Sequence, residues 1–182
     1  LSSFVQPYYF TNEQGSSFVE GPVVGVANVK DTSMAMSRLN HPVVKAKLPD
    51  DLQFMWGANE LKDENGIENG FFFLYAIKVP SNGPQVHGEH IDNSYHDMDQ
   101  QAIGEYRVVL SFTSLGAEKW EEMTAANIDK PVAITMDNLV YSAPYVREKM
   151  STQSSITGGF DLYSEKDLAG LLNAGALPAP VK

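Results

Sequence analysis

Two-residue alternation of apolar and polar positions is the dominant pattern in this chain. Leu52, Phe54 and Trp56 interleave with Gln53 and Met55, and Phe71, Phe73, Tyr75 and Ile77 resume the pattern after a polar stretch from 59 to 69. Together they predict a β-hairpin with a long acidic tip. A β-branched run with Val23, Val24, Val26 and Val29 predicts a strand within Phe18 to Val29, and Pro22 marks its entry or an edge. The clearest strand sets Tyr106, Val108, Leu110 and Phe112 against Arg107, Val109 and Ser111, as in a sheet with one face buried under helices. Val132, Ile134 and Met136 begin a further hairpin, which turns at Asp137-Asn138 and returns over Leu139 to Val146.

Helical spacing takes over in three places. Asp31 or Thr32 caps a short helix carrying Met34, Met36 and Leu39, whose methionines read as core filling. Asn40-His41-Pro42 ends it, and Val43 to Leu48 adds another helical turn or so. A second helix starts at Ser114 as cap and shows Ala117, Trp120, Met123 and, more loosely, Ile128 on its apolar side. The third starts at Ser164, with Asp167 completing a variant capping box and Leu168, Leu171 and Leu172 as its stripe; Gly175 and Pro178 stop it. Leu1 to Ser17 has neither period and reads as a loop or arm, with Tyr8, Tyr9 and Phe10 free to pack on a neighbour. Ser151 to Phe160 is polar and ends in Gly158-Gly159, the mark of a loop or short bulged strand.

The expected class is therefore α+β: a ferredoxin-like split sheet with helices packed on one face, over residues 86–182. Residues 1–85 form a small N-terminal α/β extension, separated from it by the Pro80 to Pro84 loop. At 182 residues the chain is long enough to bury a sizeable core.

Charge and composition narrow the function classes. Thirteen Lys+Arg against 23 Asp+Glu give a net charge of −10, and no basic cluster stands out, which argues against a nucleic-acid partner. The absence of cysteine removes disulfides, thiolate metal sites and cysteine nucleophiles. The longest apolar run, roughly Phe71 to Val79, falls well short of the ~20 residues of a membrane helix.

Candidate chemistry is thin. His87-Gly88-Glu89-His90, followed by Asp92, His96, Asp97 and Asp99, mixes imidazole and carboxylate, so a metal-dependent hydrolase using His87, His90 and His96 is one reading. The spacing is not HExxH, and the acids lack the glycine and distal glutamate of a calcium loop. No serine lies in G-x-S-x-G, and Gly158-Gly159 has neither the lysine nor the strand-to-helix setting of a phosphate loop. The residues thus point to a protein that is not an enzyme and carries no cofactor.

One ordered series of motifs goes further. Leu115-Gly116-Ala117-Glu118-Lys119-Trp120, Thr124 and Asn127 come first, then Val132-Ala133-Ile134 with Asp137, and Val140-Tyr141-Ser142-Ala143-Pro144. Thr157-Gly158-Gly159-Phe160, Asp167-Leu168-Ala169 and Gly175-Ala176-Leu177-Pro178-Ala179-Pro180 follow. This series resembles the SecD/SecDF family of bacterial protein export, most closely over residues 86–180. It departs from the family at Ile128-Asp129, where a glycine is usual, and at Trp120, where phenylalanine is usual. The resemblance implies the head of the first periplasmic domain of a larger membrane protein, at the periplasmic face of the inner membrane. Membrane association would then come through transmembrane helices outside this chain. The implied partners are unfolded preprotein, the SecYEG channel and SecF; a structural adaptor that binds another Sec subunit is the alternative. Candidate substrate contacts are an apolar surface or sheet edge at Phe71 and Phe73, and the Ile156, Gly158, Gly159 and Phe160 stretch.

Overall fold

A computed structural model describes residues 4–12, 15–18, 21–98, 106–157 and 162–176. The chain divides into two compact units, Leu1–Gly83 with Ala133–Ala143, and Pro84–Val132 with Pro144–Lys182. Both mix strands and helices, so the class is α+β.

The first unit is built on a six-stranded mixed sheet. Its centre is the hairpin expected from the alternation: β5 (Leu52–Gly57) and β6 (Phe71–Lys78) pair antiparallel, with Phe54 opposite Ala76. β4 (Val23–Asn28) adds antiparallel to β6, and β1 (Gln6–Pro7) adds to β4. Gly25 permits that last pairing, since a Cβ there would overlap the Val5 side chain and the Gln6 carbonyl. The stretch read as an arm thus contains β1 and a separate hairpin of β2 (Tyr9–Asn12) and β3 (Gly15–Phe18). Backbone pairing forms these short strands without any side-chain alternation to announce them. Tyr8 does pack on a neighbour, its ring edge-on to Phe73 at 5.0 Å. The helix α1 (Thr32–Leu39) buries Ala35 and Leu39, and α2 (Pro42–Lys45) begins on Pro42 with His41 capping it through Val43 N–H.

The remaining two strands of this sheet come from far along the chain. β9 (Ile134–Met136) and β10 (Leu139–Ser142) form the Asp137-Asn138 hairpin; both turn residues lie in the left-handed region, at φ 51 and 62°. Two successive left-handed residues are the signature of a type I′ turn. The hairpin does not join the strand at Tyr106–Phe112; β10 runs parallel to β5, with Leu139 opposite Trp56. The local pattern fixes a hairpin but carries no information on which distant edge receives it. The return strand also stops at Ser142, two residues before Pro144, so Val146 belongs to a different stretch.

The second unit holds a three-stranded antiparallel sheet in the order β11-β8-β7. β8 (Tyr106–Phe112) lies between β7 (Ile91–Met98) and β11 (Gln153–Thr157). Val108, Leu110, Ser154 and Ile156 are buried on one face, where α3 (Ser114–Ala126) and α4 (Leu162–Ala176) pack. Phe112 stacks on Trp120 of α3 at 4.9 Å, and Leu168 and Ala169 of α4 complete the core. Val109 on the other face is buried too, at 5 % exposure, so that face is not uniformly wet as the alternation implied.

Helix boundaries differ from the expected ones by one to three residues. Thr113, not Ser114, caps α3, its hydroxyl accepting from Gly116 N–H at 3.1 Å. Helix α4 is already under way at Leu162, so Ser164 is an interior residue, and it runs one residue past Gly175. Within α3, Thr124 is fully buried; its Oγ1 lies 2.8 Å from Trp120 O and accepts from Met150 N–H at 3.0 Å. This ties the helix to the loop that leads into β11.

Candidate functional site

The expected contact residues fall into separate places. Phe71 and Phe73 sit half-buried on β6 of the first unit, and Phe73 is engaged edge-on by Tyr8 and by Tyr75 at 6.2 Å. Ile156 belongs to the second unit and is 3 % exposed, so it is a core residue and not a surface contact. Gly158, Gly159 and Phe160 lie outside the described residues.

The histidines do not converge. Among the described residues no group of three His, Asp or Glu side chains is arranged to hold a metal ion. His96 is exposed on β7 opposite Val108, whereas His90, 3 % exposed, closes a short 3-10 turn (Gly88–His90). Its Nδ1 accepts the His87 N–H at 2.9 Å, and its carbonyl accepts the Thr113 N–H at 3.0 Å. The Lys119 ammonium lies 3.2 Å from Nε2. This imidazole is a pin between the turn and the start of α3.

Burial, followed by the nearby Lys119 charge, pushes the His90 pKa below its ordinary value against the opposing pull of Glu89. The unfolded chain therefore binds the extra proton more readily, and stability must rise with pH through this window. We expect the His90 contribution to be complete above about pH 6.5 and to be lost as pH falls through the depressed folded value. Urea midpoints at pH 7.5 and 5.5 test this. The drop on acidification should shrink in His90→Gln, and an unchanged drop would assign it to other groups.

A cleft of about 520 Å³ opens elsewhere in the second unit. Arg107 of β8 and Ser155 and Thr157 of β11 supply part of its lining; Pro144, Tyr145, Arg147, Glu148 and Met150 supply the rest. The segment carrying these last residues is anchored on both sides. Val146 is buried and exchanges backbone hydrogen bonds with the 129–130 stretch, and Met150 is held by Thr124. Arg107 donates from Nη2 to Asp97 Oδ2 at 3.0 Å, and that hydrogen bond holds the Asp97 carboxyl below the usual carboxylate range. The buried Arg107 Nε finds no acceptor among the described residues.

Sequence reasoning passed over this cleft. The alternation of β8 did place Arg107 on the less apolar face, but nothing in Pro144 to Met150 has a period, and only the fold brings the two together. The ligand groups on offer are guanidinium, carboxylate, hydroxyl and strand backbone. None forms a nucleophile–base pair.

A family profile described as "SecDF, P1 head subdomain" matches residues 76–179, more than half of the chain. The chain belongs to the SecDF P1 head family. Among its relatives, the protein translocase subunit SecD of Rhodothermus marinus is 34% identical over 164 residues, which cover 89% of this chain and 25% of that protein. SecD of Syntrophobacter fumaroxidans is 45% identical over 96 residues, covering 52% of this chain and 18% of that one. The P1 head chain thus spans a quarter or less of these relatives. A solved structure described as a membrane component, SecDF, that enhances protein export aligns over 96% of this chain and 80% of its own, at 23% identity and a TM-score of 0.47. No helix among the described residues of the P1 head chain is long and apolar enough to cross a membrane.

Proposed function

We propose that this chain is the head of the first periplasmic domain of a Sec-translocon accessory subunit, and that it contacts unfolded preprotein leaving the SecYEG channel. The P1 head match over residues 76–179 carries this reading. In it, residues 86–182 are the head core and residues 1–85 an extension of it. Transmembrane parts beyond this chain hold it at the periplasmic face of the inner membrane beside SecYEG and SecF and couple its work to the proton-motive force. The head itself is not an enzyme: its contribution is to hold and release polypeptide.

The cleft beside β11 supports this, because a strand edge next to a walled groove suits an extended chain better than a folded ligand. The half-buried Phe71 and Phe73, the latter already packed against two tyrosines, suit it less. Photoreactive side chains at Ser155, Thr157 and, for comparison, Phe71 test the reading in the full-length subunit within a working translocon that holds a stalled preprotein. Strong labelling of preprotein from 155 and 157 is the expected result. Labelling of another Sec subunit alone would replace contact with the adaptor reading, and equal labelling from all sites would count against a defined contact surface.

A further inference from the structure

The two edges of the β11-β8-β7 sheet are treated differently. Phe112 N–H donates to Thr152 O at 3.1 Å, and the β11–β8 register continues unbroken from Gln153 opposite Ser111 to Thr157 opposite Arg107. In an antiparallel pair, hydrogen-bonded and non-bonded residues alternate. Ser154 and Ile156 therefore share the bonded phase of Thr152, and the peptide groups of Gln153, Ser155 and Thr157 point away from β8, to the outer edge. The same parity on the far side turns the Ser94 peptide outward from β7. There it is closed off: Asn173 Oδ1 takes the Ser94 N–H at 2.8 Å, and Asn173 Nδ2 donates to the Ser94 carbonyl at 2.6 Å.

Among the described residues, β11 shows none of the usual protections. An exposed edge is ordinarily blunted by lysine, proline, a bulge or a covering side chain. Gln153–Thr157 contains no charge and no proline, its register has no bulge, and no described strand lies beyond it. The edge opens into the cleft, since Ser155 and Thr157 line it with the 144–150 segment. Pro144, Tyr145, Arg147, Glu148 and Met150 form the rest of its wall. The charged groups of the lining offset one another, with Glu148 beside Arg147 in sequence and Arg107 already on Asp97. Recognition there falls to the backbone.

We infer that the edge of β11 takes an extended polypeptide segment as a fourth strand, read through its peptide groups with little regard to side-chain sequence. This rests on the proposed preprotein contact and specifies its mode. Outward donors and acceptors at 153, 155 and 157 repeat every second residue, about 6.6 Å apart along a strand, which matches the alternate peptides of any extended chain.

The test uses the 182-residue protein and fluorescein-labelled octapeptides of alternating valine and threonine, followed by fluorescence anisotropy. A peptide N-methylated at alternate residues keeps its side chains and loses its donors toward the edge. It is expected to bind at least about tenfold more weakly than its parent. Ser155→Pro removes an outward N–H without touching the β8 ladder and is expected to weaken the parent peptide by a similar factor, whereas Arg147→Gln should change it less than about twofold. Equal binding of the N-methylated and parent peptides overturns strand addition, and this comparison leaves the protein unaltered should Ser155→Pro misfold. Concentration-dependent dimers that peptide does not displace would assign the edge to a second copy and overturn it as well. If N-methylation has no effect while preprotein still labels from 155 and 157, contact stands and its mode falls; if labelling is also absent, both fall.

Discussion

Gly116→Ala is expected to destabilise the protein by about 2–3 kcal/mol, read as a lower urea midpoint at unchanged slope. A Cβ at this position would overlap the His90 carbonyl oxygen and lie 2.9 Å from the His90 Cβ. The obstacle is backbone, and backbone here cannot give way. The same carbonyl accepts the Thr113 N–H, and Thr113 caps the helix on which Gly116 sits. Alanine would gain up to about 1 kcal/mol in helix propensity, so the clash must exceed that gain for the expected sign to hold. Gly170→Ala supplies the control: it is also helical but meets nothing within 4 Å, and it should raise stability by up to about 1 kcal/mol. A stabilised Gly116→Ala protein would mean that the start of α3 can slide off the His90 turn.

Asn173→Ala is expected to cost about 2–4 kcal/mol, because it removes two hydrogen bonds and leaves the N–H and carbonyl of Ser94 unpaired. Ser94 is only 2 % exposed, so water cannot readily replace them. Its hydroxyl bond to the Ala169 carbonyl, at 2.7 Å, would survive and hold α4 near the strand. The variant carries a second readout. The edge of β7 nevertheless stays under α4, so size-exclusion chromatography should show no concentration-dependent association. Association on loss of the amide would mean that Asn173 alone shields the edge.

What the sequence reveals follows from the range of the forces involved. β5, β6 and β8 were legible because each buries a face, and burial writes itself into alternate positions. The Asp137-Asn138 turn was legible because two left-handed residues demand a particular chemistry. β1 was not, because it pairs through backbone alone. The partner of the 134–142 hairpin was not, because an edge some eighty positions upstream leaves no local trace. The family resemblance rested on a run of short motifs, and the P1 head match covers the same part of the chain.

The cleft shows the same limit more sharply. Phe71 and Phe73 stood out as candidates because aromatic alternation is conspicuous, yet both are half-buried and the Phe73 ring is engaged by two tyrosines. Gln153 to Thr157 read as part of a polar loop or short bulged strand, with Ile156 as its candidate contact. Its interest lies in a pairing parity set by β8, which decides that Ser155 and not Ile156 turns its peptide outward. Asn173 is likewise invisible in sequence, since its value depends on a strand 79 positions away.

The long reach from β5 to β10 also sets a timetable for folding. As the chain is delivered N-terminus first, β5 and β6 can zip together once Lys78 is free, but the outer flank of β5 has no partner until Leu139–Ser142 arrives. Throughout that interval the arriving chain exposes an unfilled strand beside Trp56, and closure then requires a single large ring. Severing the chain at 83/84 would make the interval permanent, leaving one piece with a bare flank and the other with an orphan hairpin.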